Sequence, residues 1–499
     1  MKLKSIVLAV AAASGVIAGQ AHAFAPGAVT DINLYVSGAT AQDEAFLKMF
    51  KDNFCKSDFD AFASSGDAKA QRAFSCKLDS AKIPGMSVVD PTITVYKRSS
   101  GGSGMGVQPV ADGASIEFMN VAPWDGVSKG CQVMAAGTQP SGFPIGTYNC
   151  SYNATTDRQM HVSDAGLSDV EPALFVGVNV PAGFTDVTAA QVAKMDVVSV
   201  RAGVFGIPVT KALRDALQQA QGLVVGDETE ANMPSLSKVE VASLMADGGI
   251  KKWSDFYVNG VPLTTISATY GSSNKVTICR RVNGSGTQAQ FNANFLAYPC
   301  VNGAAQPENL SNLATGPLVV MNSGSGDVET CLKNANDNSS VQKTDANGKY
   351  LVNGDGTPAM QTVSKWALGV QSTEKNSTNS KNYRFIKIDG VTPTSENVWN
   401  STYMDWVEES MQWRKVAEGG PVGDMLKVLQ TMASEAGKPA NTNLTSVNQS
   451  WGRTGYLTVP SLTYPTDSVW NAANPVNTAT RGTPVNNCRV PLAVKKLVQ

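Results

Sequence analysis

The chain has 499 residues, with 40 Lys and Arg against 41 Asp and Glu, 42% hydrophobic and 16% charged residues. That balance excludes a disordered or strongly basic chain, and the lack of any basic run interleaved with aromatics argues against a nucleic-acid partner. The length can bury more than one core and suggests two lobes with a cleft between them.

Lys2 and Lys4, an apolar run from Ile6 to Ala18, and Ala21-His22-Ala23 read as a secretory signal peptide over residues 1–23. The apolar run is too short for a transmembrane helix, and no later stretch approaches the ~20 apolar residues that a span requires. The mature chain is expected to begin near Phe24 and to lie in a bacterial periplasm, with a location outside the cell left open. No cysteine follows the cleavage site to carry a lipid. Eight cysteines, all after the leader, suit an oxidising compartment. Connectivity is not dictated by sequence; local pairing suggests Cys55 with Cys76, Cys131 with Cys150 and Cys279 with Cys300, which leaves Cys331 for Cys488. No Cys-x-x-Cys or His-Glu-x-x-His spacing occurs and His161 is the one histidine past the leader, so neither a metal nor a cofactor is expected.

Residues 32–36 read as a strand and 39–53 as an amphipathic helix with Phe46, Met49 and Phe50 on one side, joined through Ser37-Gly38-Ala39-Thr40. A second strand over 93–96 runs into Lys97-Arg98-Ser99-Ser100-Gly101-Gly102-Ser103-Gly104. His161 to Pro172 looks like a third strand end, with Asp164 before the turn, Ser168 as a helix N-cap and Glu171 completing a capping box. Residues 275–279 are a buried strand and 288–296 a helix, separated by Arg280-Arg281-Val282-Asn283-Gly284-Ser285-Gly286-Thr287. That octapeptide places a fixed positive charge beside a helix N-terminus, where the first N–H groups lack intrahelical partners and the macrodipole favours an anion. The plainer alternative is a Ser or Thr that caps the helix, with solvated arginines. All these loops share the strand-to-loop-to-helix form that places ligands at the carboxyl ends of strands in open α/β sheets.

Further along, Ser323-Gly324-Ser325-Gly326-Asp327 should start a helix, and residues 334–359 read as turns around a short strand. Trp406 to Arg414 suggest a strand, and residues 441–490 an extended tail pinned by Cys488.

Ser37-Gly38-Ala39-Thr40, Ser99-Ser100-Gly101-Gly102, Ser163-Asp164-Ala165-Gly166-Leu167-Ser168-Asp169, Gly249-Ile250-Lys251-Lys252-Trp253-Ser254-Asp255, and Arg280-Arg281 with Gly284-Ser285-Gly286-Thr287 occur in a fixed order. In that order they resemble the signatures of the periplasmic phosphate-binding proteins of ABC transporters, within the type II periplasmic solute-binding proteins. Trp366-Ala367-Leu368-Gly369-Val370 resembles the segment that closes the sheet of that family's second lobe. The resemblance implies a two-lobed α/β fold with mixed sheets flanked by helices and a ligand cleft between the lobes. Lobe I would span 24–203 with an insert at 107–160, lobe II 204–404, and 405–499 would return to lobe I and end in the tail. The chain would cross near Val200 to Phe205 and return near Trp406 to Arg414.

By the same resemblance Thr40, the amide of Ala41, and Ser99 would donate to the anion from the first lobe, and Arg281, Ser285, Gly286 and Thr287 from the second. Asp164 would be the single acceptor, favouring phosphate, which keeps a proton to donate, over sulfate. The implied role is capture of phosphate or a similar tetrahedral oxyanion by hinge closure and delivery to an ABC transporter permease, as a monomer and without covalent chemistry. Two other classes are weighed beside it. One is a surface or scaffold protein on the same fold with a changed ligand; the other is a phosphatase-like hydrolase using Asp164, although no Gly-x-Ser-x-Gly elbow occurs. Three departures from the family stand out: Asn283 where an aspartate would pair with the arginine, the small Ala41, and the long insert, read either as a cover over the cleft mouth or as a surface excursion.

Overall fold

In the computed structural model the described residues are 24–64, 71–134, 147–152 and 155–494. The signal-peptide reading falls on residues 1–23 and lies outside them. Two mixed sheets organise the chain. The first is built around β1 (Ile32–Gly38), β2 (Cys55–Ser64), β3 (Gln71–Leu78), β4 (Thr92–Arg98) and β5 (Ala165–Ser168), with β4 and β5 both parallel to β1. β6 (Met195–Gly206) leaves this sheet for the second one, which begins with β7 (Pro208–Thr210). The second sheet continues with β8 (Thr277–Arg281), β9 (Leu318–Asn322), β10 (Ala367–Gly369) and β11 (Tyr383–Phe385), in the spatial order β9-β8-β10-β7-β11. β12 (Trp406–Arg414) brings the chain back, antiparallel to both β6 and β5. The segments Val200 to Phe205 and Trp406 to Arg414 are therefore hydrogen-bonded neighbours.

Helices cover the sheets where apolar residues recur at helical spacing. On α1 (Asp43–Phe54), Phe46, Met49, Phe50 and Phe54 are buried against Leu34, Val36, Phe74, Ile93 and Val95 of the first sheet. α2 (Gly286–Leu296) follows β8, and Phe291 and Phe295 pack with Ile278 in the larger core, where Trp253 and Trp366 meet edge to face at 5.7 Å. The Trp253 indole N–H donates to the Trp366 carbonyl at 3.1 Å, so the polar end of this fully buried ring is satisfied. α3 (Ser325–Asn338) follows β9 and packs on the opposite face of the second sheet through Val328, Cys331, Leu332 and Ala335. Among the described residues no helix is long and apolar enough to cross a membrane.

The disulfides Cys55–Cys76 and Cys131–Cys150 form as the local pairing suggested. The other two do not: Cys279 bonds Cys331 and Cys300 bonds Cys488. The reason lies in strand alternation, since neighbouring residues of β8 point to opposite faces. Ile278 packs towards α2, whereas Cys279 lies with Val328, Cys331 and Leu332 of α3. Cys300 follows α2 and is left to fasten the tail. After α4 (Gly423–Ala436), the tail expected as extended chain over 441–490 begins instead inside a helix, α5 (Pro439–Leu444); it then pairs Tyr456 and Leu457 with β6 and reaches the first sheet's side where Asn487 binds Glu171.

Two smaller expectations change as well. Ser168 ends β5 and its hydroxyl donates to the Val170 carbonyl, so the capping box expected at Ser168 and Glu171 does not form; Glu171 is committed to Asn487. The described part of the 107–160 insert adds the strands Cys131–Val133 and Thr147–Cys150 to the β2 edge of the first sheet, and Ser115–Met119 pairs with Arg158–Val162. None of its described residues lines the large cavity between the lobes.

Candidate functional site

β8 ends in two arginines whose side chains part to the two faces of the second sheet. Arg280 turns to the α2 face and donates to the Glu308 carbonyl at 3.0 Å and to Asn283 Oδ1 at 3.2 Å. Arg281 turns to the α3 face, where Nη2 donates to the Ser323 carbonyl at 2.8 Å, Nη1 to Ser325 Oγ at 3.3 Å and Nε to the Asn322 carbonyl at 3.3 Å. Its fourth partner comes from the first lobe: Nη2 donates to Thr40 Oγ1 at 3.2 Å. Arg281 is 1% exposed, and among the described residues no carboxylate lies within ion-pairing distance of it. Burial pushes its pKa down, opposed by the charges of Asp169, Asp327 and Asp43.

Beyond Arg281 the chain turns through Gly284, which holds φ +86° and would bring a Cβ within 2.7 Å of Pro181. Ser285 caps α2 by accepting from the Gln288 N–H at 3.3 Å. The amides of Gly286 and Thr287 open the helix without intrahelical acceptors. Gly286 lies against the first lobe so closely that a Cβ would stand 2.4 Å from Ser103 Oγ.

The first-lobe loops are set by β1 and β4. Gly38 ends β1 at φ +112°, where a Cβ would meet the Leu167 carbonyl at 2.0 Å, and Ala39 N–H donates to that same carbonyl at 2.8 Å. The tight turn leaves Thr40 facing Arg281, with Ala41 buried behind it and its carbonyl accepting from Tyr456 Oη at 3.1 Å. Ser99 is differently engaged from the anion donor expected of it. Its hydroxyl lies 2.8 Å from both carboxylate oxygens of Asp43 and 2.9 Å from Lys97 Nζ. Lys97 and Asp43 are themselves a buried ion pair at 3.1 Å, and Lys97 Nζ also donates to the Gly38 carbonyl at 3.0 Å. Desolvation pushes the Lys97 pKa down, with the Asp43 charge opposing it.

Asp164 does not join these residues. Its carboxylate accepts from the Tyr35 N–H at 2.8 Å, and burial raises its pKa to about 6, with that hydrogen bond and the charge of Arg414 opposing. The register of β5 on β1 pairs Val36 with Ala165 and Gly38 with Leu167, so Asp164 precedes the strand at its amino end. Five residues of extended chain, about 16 Å, separate it from the carboxyl end. The acidic residue at that end is Asp169: Thr287 Oγ1 donates to its Oδ2 at 2.9 Å across the lobes, and its own N–H donates to Ser103 Oγ at 3.1 Å. Asp169 Oδ1 is buried and makes no hydrogen bond of good geometry, with the Gln42 side chain near enough to help stabilise the carboxylate. Burial raises its pKa, while the Thr287 bond and the Arg281 charge lower it. Strand direction was the signal that favoured Asp169, because the sequence contains Ser-Asp twice in this segment and ligands gather at carboxyl ends.

The paired strands β6 and β12 add a second buried pair that sequence reasoning did not single out. Arg201 Nε meets Glu409 Oε2 at 2.7 Å, and the guanidinium lies over the Tyr456 ring at 4.0 Å. Burial pushes the Glu409 carboxyl up and Arg201 opposes it; the Asp169 charge pushes it further up.

No family model matches the chain, and no curated protein matches it. Solved structures are similar to it over most of their length. A substrate-binding protein assigned to a phosphate ABC transporter from Clostridium perfringens, with bound phosphate, is 12% identical over 83% of this chain and 97% of its own, with a TM-score of 0.39. An ABC-type phosphate transport receptor from Vibrio cholerae is 11% identical over 80% of this chain and 93% of its own, with a TM-score of 0.36. PstS from Borrelia burgdorferi is 10% identical over 82% of this chain and 98% of its own, with a TM-score of 0.29.

Proposed function

We propose that the chain is a solute-binding receptor that captures phosphate, or a tetrahedral oxyanion like it, between two lobes and delivers it to a membrane permease. The observation that carries this reading is the buried guanidinium of Arg281, which is held by carbonyl and hydroxyl oxygens alone. Its countercharges, Asp169, Asp327 and Asp43, act from beyond ion-pairing distance and offset only part of the several kcal/mol that burying the charge costs, and an oxyanion is the partner that these surroundings suit. Arginine supplies its charge and the one Nη1 N–H that these four bonds leave over, the start of α2 supplies the amides of Gly286 and Thr287, and Thr40 supplies a hydroxyl from the other lobe.

Asp169 takes the acceptor role that the sequence reading gave to Asp164. A phosphate carrying a proton can donate it to Oδ1, whereas sulfate would face an unpaired carboxylate, a mismatch of about 1 to 3 kcal/mol or more. Thr40 and Asp169 belong to one lobe and Arg281, Gly286 and Thr287 to the other, so a bound anion would favour the closed form by differential contact. The leader-like residues 1–23 and the four disulfides support a place outside the cytoplasm.

The test is thermal unfolding and calorimetric titration against a panel of oxyanions. Phosphate is expected to raise the melting temperature, sulfate to do so far less, and Arg281→Ala to remove both effects. Equal stabilisation by the two anions, or none by either, contradicts the reading.

A further inference from the structure

The contact between the lobes is one-sided. On the Thr287 side they touch directly: Thr287 Oγ1 meets Asp169, Gly104 N–H donates to the Gly284 carbonyl at 2.7 Å, and Asn292 Nδ2 donates to Asn179 Oδ1 at 2.7 Å. On the other side of Arg281 they part around a cavity of about 1020 Å³. Thr40, Ser323 and Ser325 line it, and these three residues also hold the Arg281 guanidinium, which lies behind them and outside the lining. An anion at Arg281 would therefore be enclosed on one side and face a chamber on the other.

A bare tetrahedral oxyanion has five heavy atoms, whereas pockets of about 300 to 1,000 Å³ are typical of sites for whole organic ligands. We propose, resting on the oxyanion-receptor reading above, that the ligand is a phosphomonoester of a neutral polyol, with its phosphoryl group at Arg281 and its hydroxylated arm in this cavity. The walls define the class of arm. Ser100, Asn334, Ser377, Thr378 and Ser446 bring short hydroxyls and an amide to the lining, and these suit hydroxyl groups that both donate and accept.

Two other arms fit less well. Among the described residues the lining carries four basic and four acidic side chains, with no surplus positive charge for a second phosphate. Lys381 meets Glu329 at 2.5 Å, Lys375 meets Glu374 at 3.3 Å, and the start of α3 is closed by its own Asp327, which accepts from the Gly324 N–H at 2.8 Å. A nucleobase would want aromatic faces to stack on, and among the described residues Tyr350 is the single aromatic ring in the lining.

The experiment is calorimetric titration of the full chain with inorganic phosphate, glycerol 3-phosphate and glucose 6-phosphate, repeated on Ser377→Trp and Arg281→Ala. At least one ester is expected to bind tenfold or more tighter than phosphate. Ser377→Trp, which fills the chamber, should weaken that ester at least tenfold while phosphate changes less than twofold; Arg281→Ala should abolish binding of all three. Esters that bind no tighter than phosphate, or an ester unaffected by Ser377→Trp, overturn the subsite and leave the oxyanion receptor standing. Absence of binding by all three compounds overturns the oxyanion reading itself.

Discussion

Two strand-to-helix loops of similar sequence meet across this cleft, and they handle their cations in opposite ways. In the first lobe, Lys97 is buried with Asp43 at 3.1 Å, and Ser99 bridges the two. In the second, Arg281 is equally buried and has carbonyls and hydroxyls as its direct partners. One loop has completed its electrostatics internally; the other has left a positive charge for something else to complete. A glycine- and serine-rich turn at a strand end thus does not by itself make an anion site. What decides is whether an acid forms a direct ion pair with the cation, as Asp43 does with Lys97, or acts on it only from a distance, as Asp327 does on Arg281.

The comparison makes graded predictions. Arg281→Ala should weaken phosphate binding by about 100-fold or more, roughly 3 kcal/mol, measured by titration calorimetry. Asp169→Asn should cost less affinity but erase most of the preference for phosphate over sulfate, a change of about ten- to a hundredfold in the ratio, while Asp164→Asn leaves that ratio unaltered. Acidification should act in the same direction as Asp169→Asn. Burial raises the Asp169 pKa, so as pH falls through that raised value the carboxylate gains a proton and stops accepting, and the phosphate-to-sulfate ratio should decline.

For the first-lobe loop the expected damage is to stability. Asp43→Ala leaves Lys97 buried and unpaired and should destabilise the fold by about 3 to 5 kcal/mol in chemical denaturation. Ser99→Ala should change phosphate affinity by less than about threefold, because its hydroxyl is engaged by Asp43 and Lys97. A tenfold loss there would show that the two loops are more alike than their ion pairs suggest. Asn283→Asp should have the smallest effect on affinity, since Asn283 faces Arg280 on the opposite side of the sheet from Arg281.

Much of this architecture was legible in the sequence. The buried run before Arg281, the apolar spacing of Phe46, Met49 and Phe50, and the strand at Trp406 to Arg414 all folded as their patterns indicate, because each is a local property of burial on one face. The failures were long-range. The pairing of Cys279 depended on which helix covers which face of β8, and sequence proximity to Cys300 carried no information about that. Asp164 and Asp169 look alike in sequence, and they are separated only by the direction of a four-residue strand. Ser99 matched the pattern of a donor, yet its availability depended on Asp43, a residue 56 positions away.

The central claim is that Arg281 is a buried cation completed by an oxyanion from solution. The most direct measurement is paired calorimetric titration of the full chain and of Arg281→Ala with phosphate and sulfate. The account predicts saturable phosphate binding, much weaker sulfate binding, and loss of both in the variant. Binding that survives Arg281→Ala with unchanged affinity would place the anion elsewhere and contradict it.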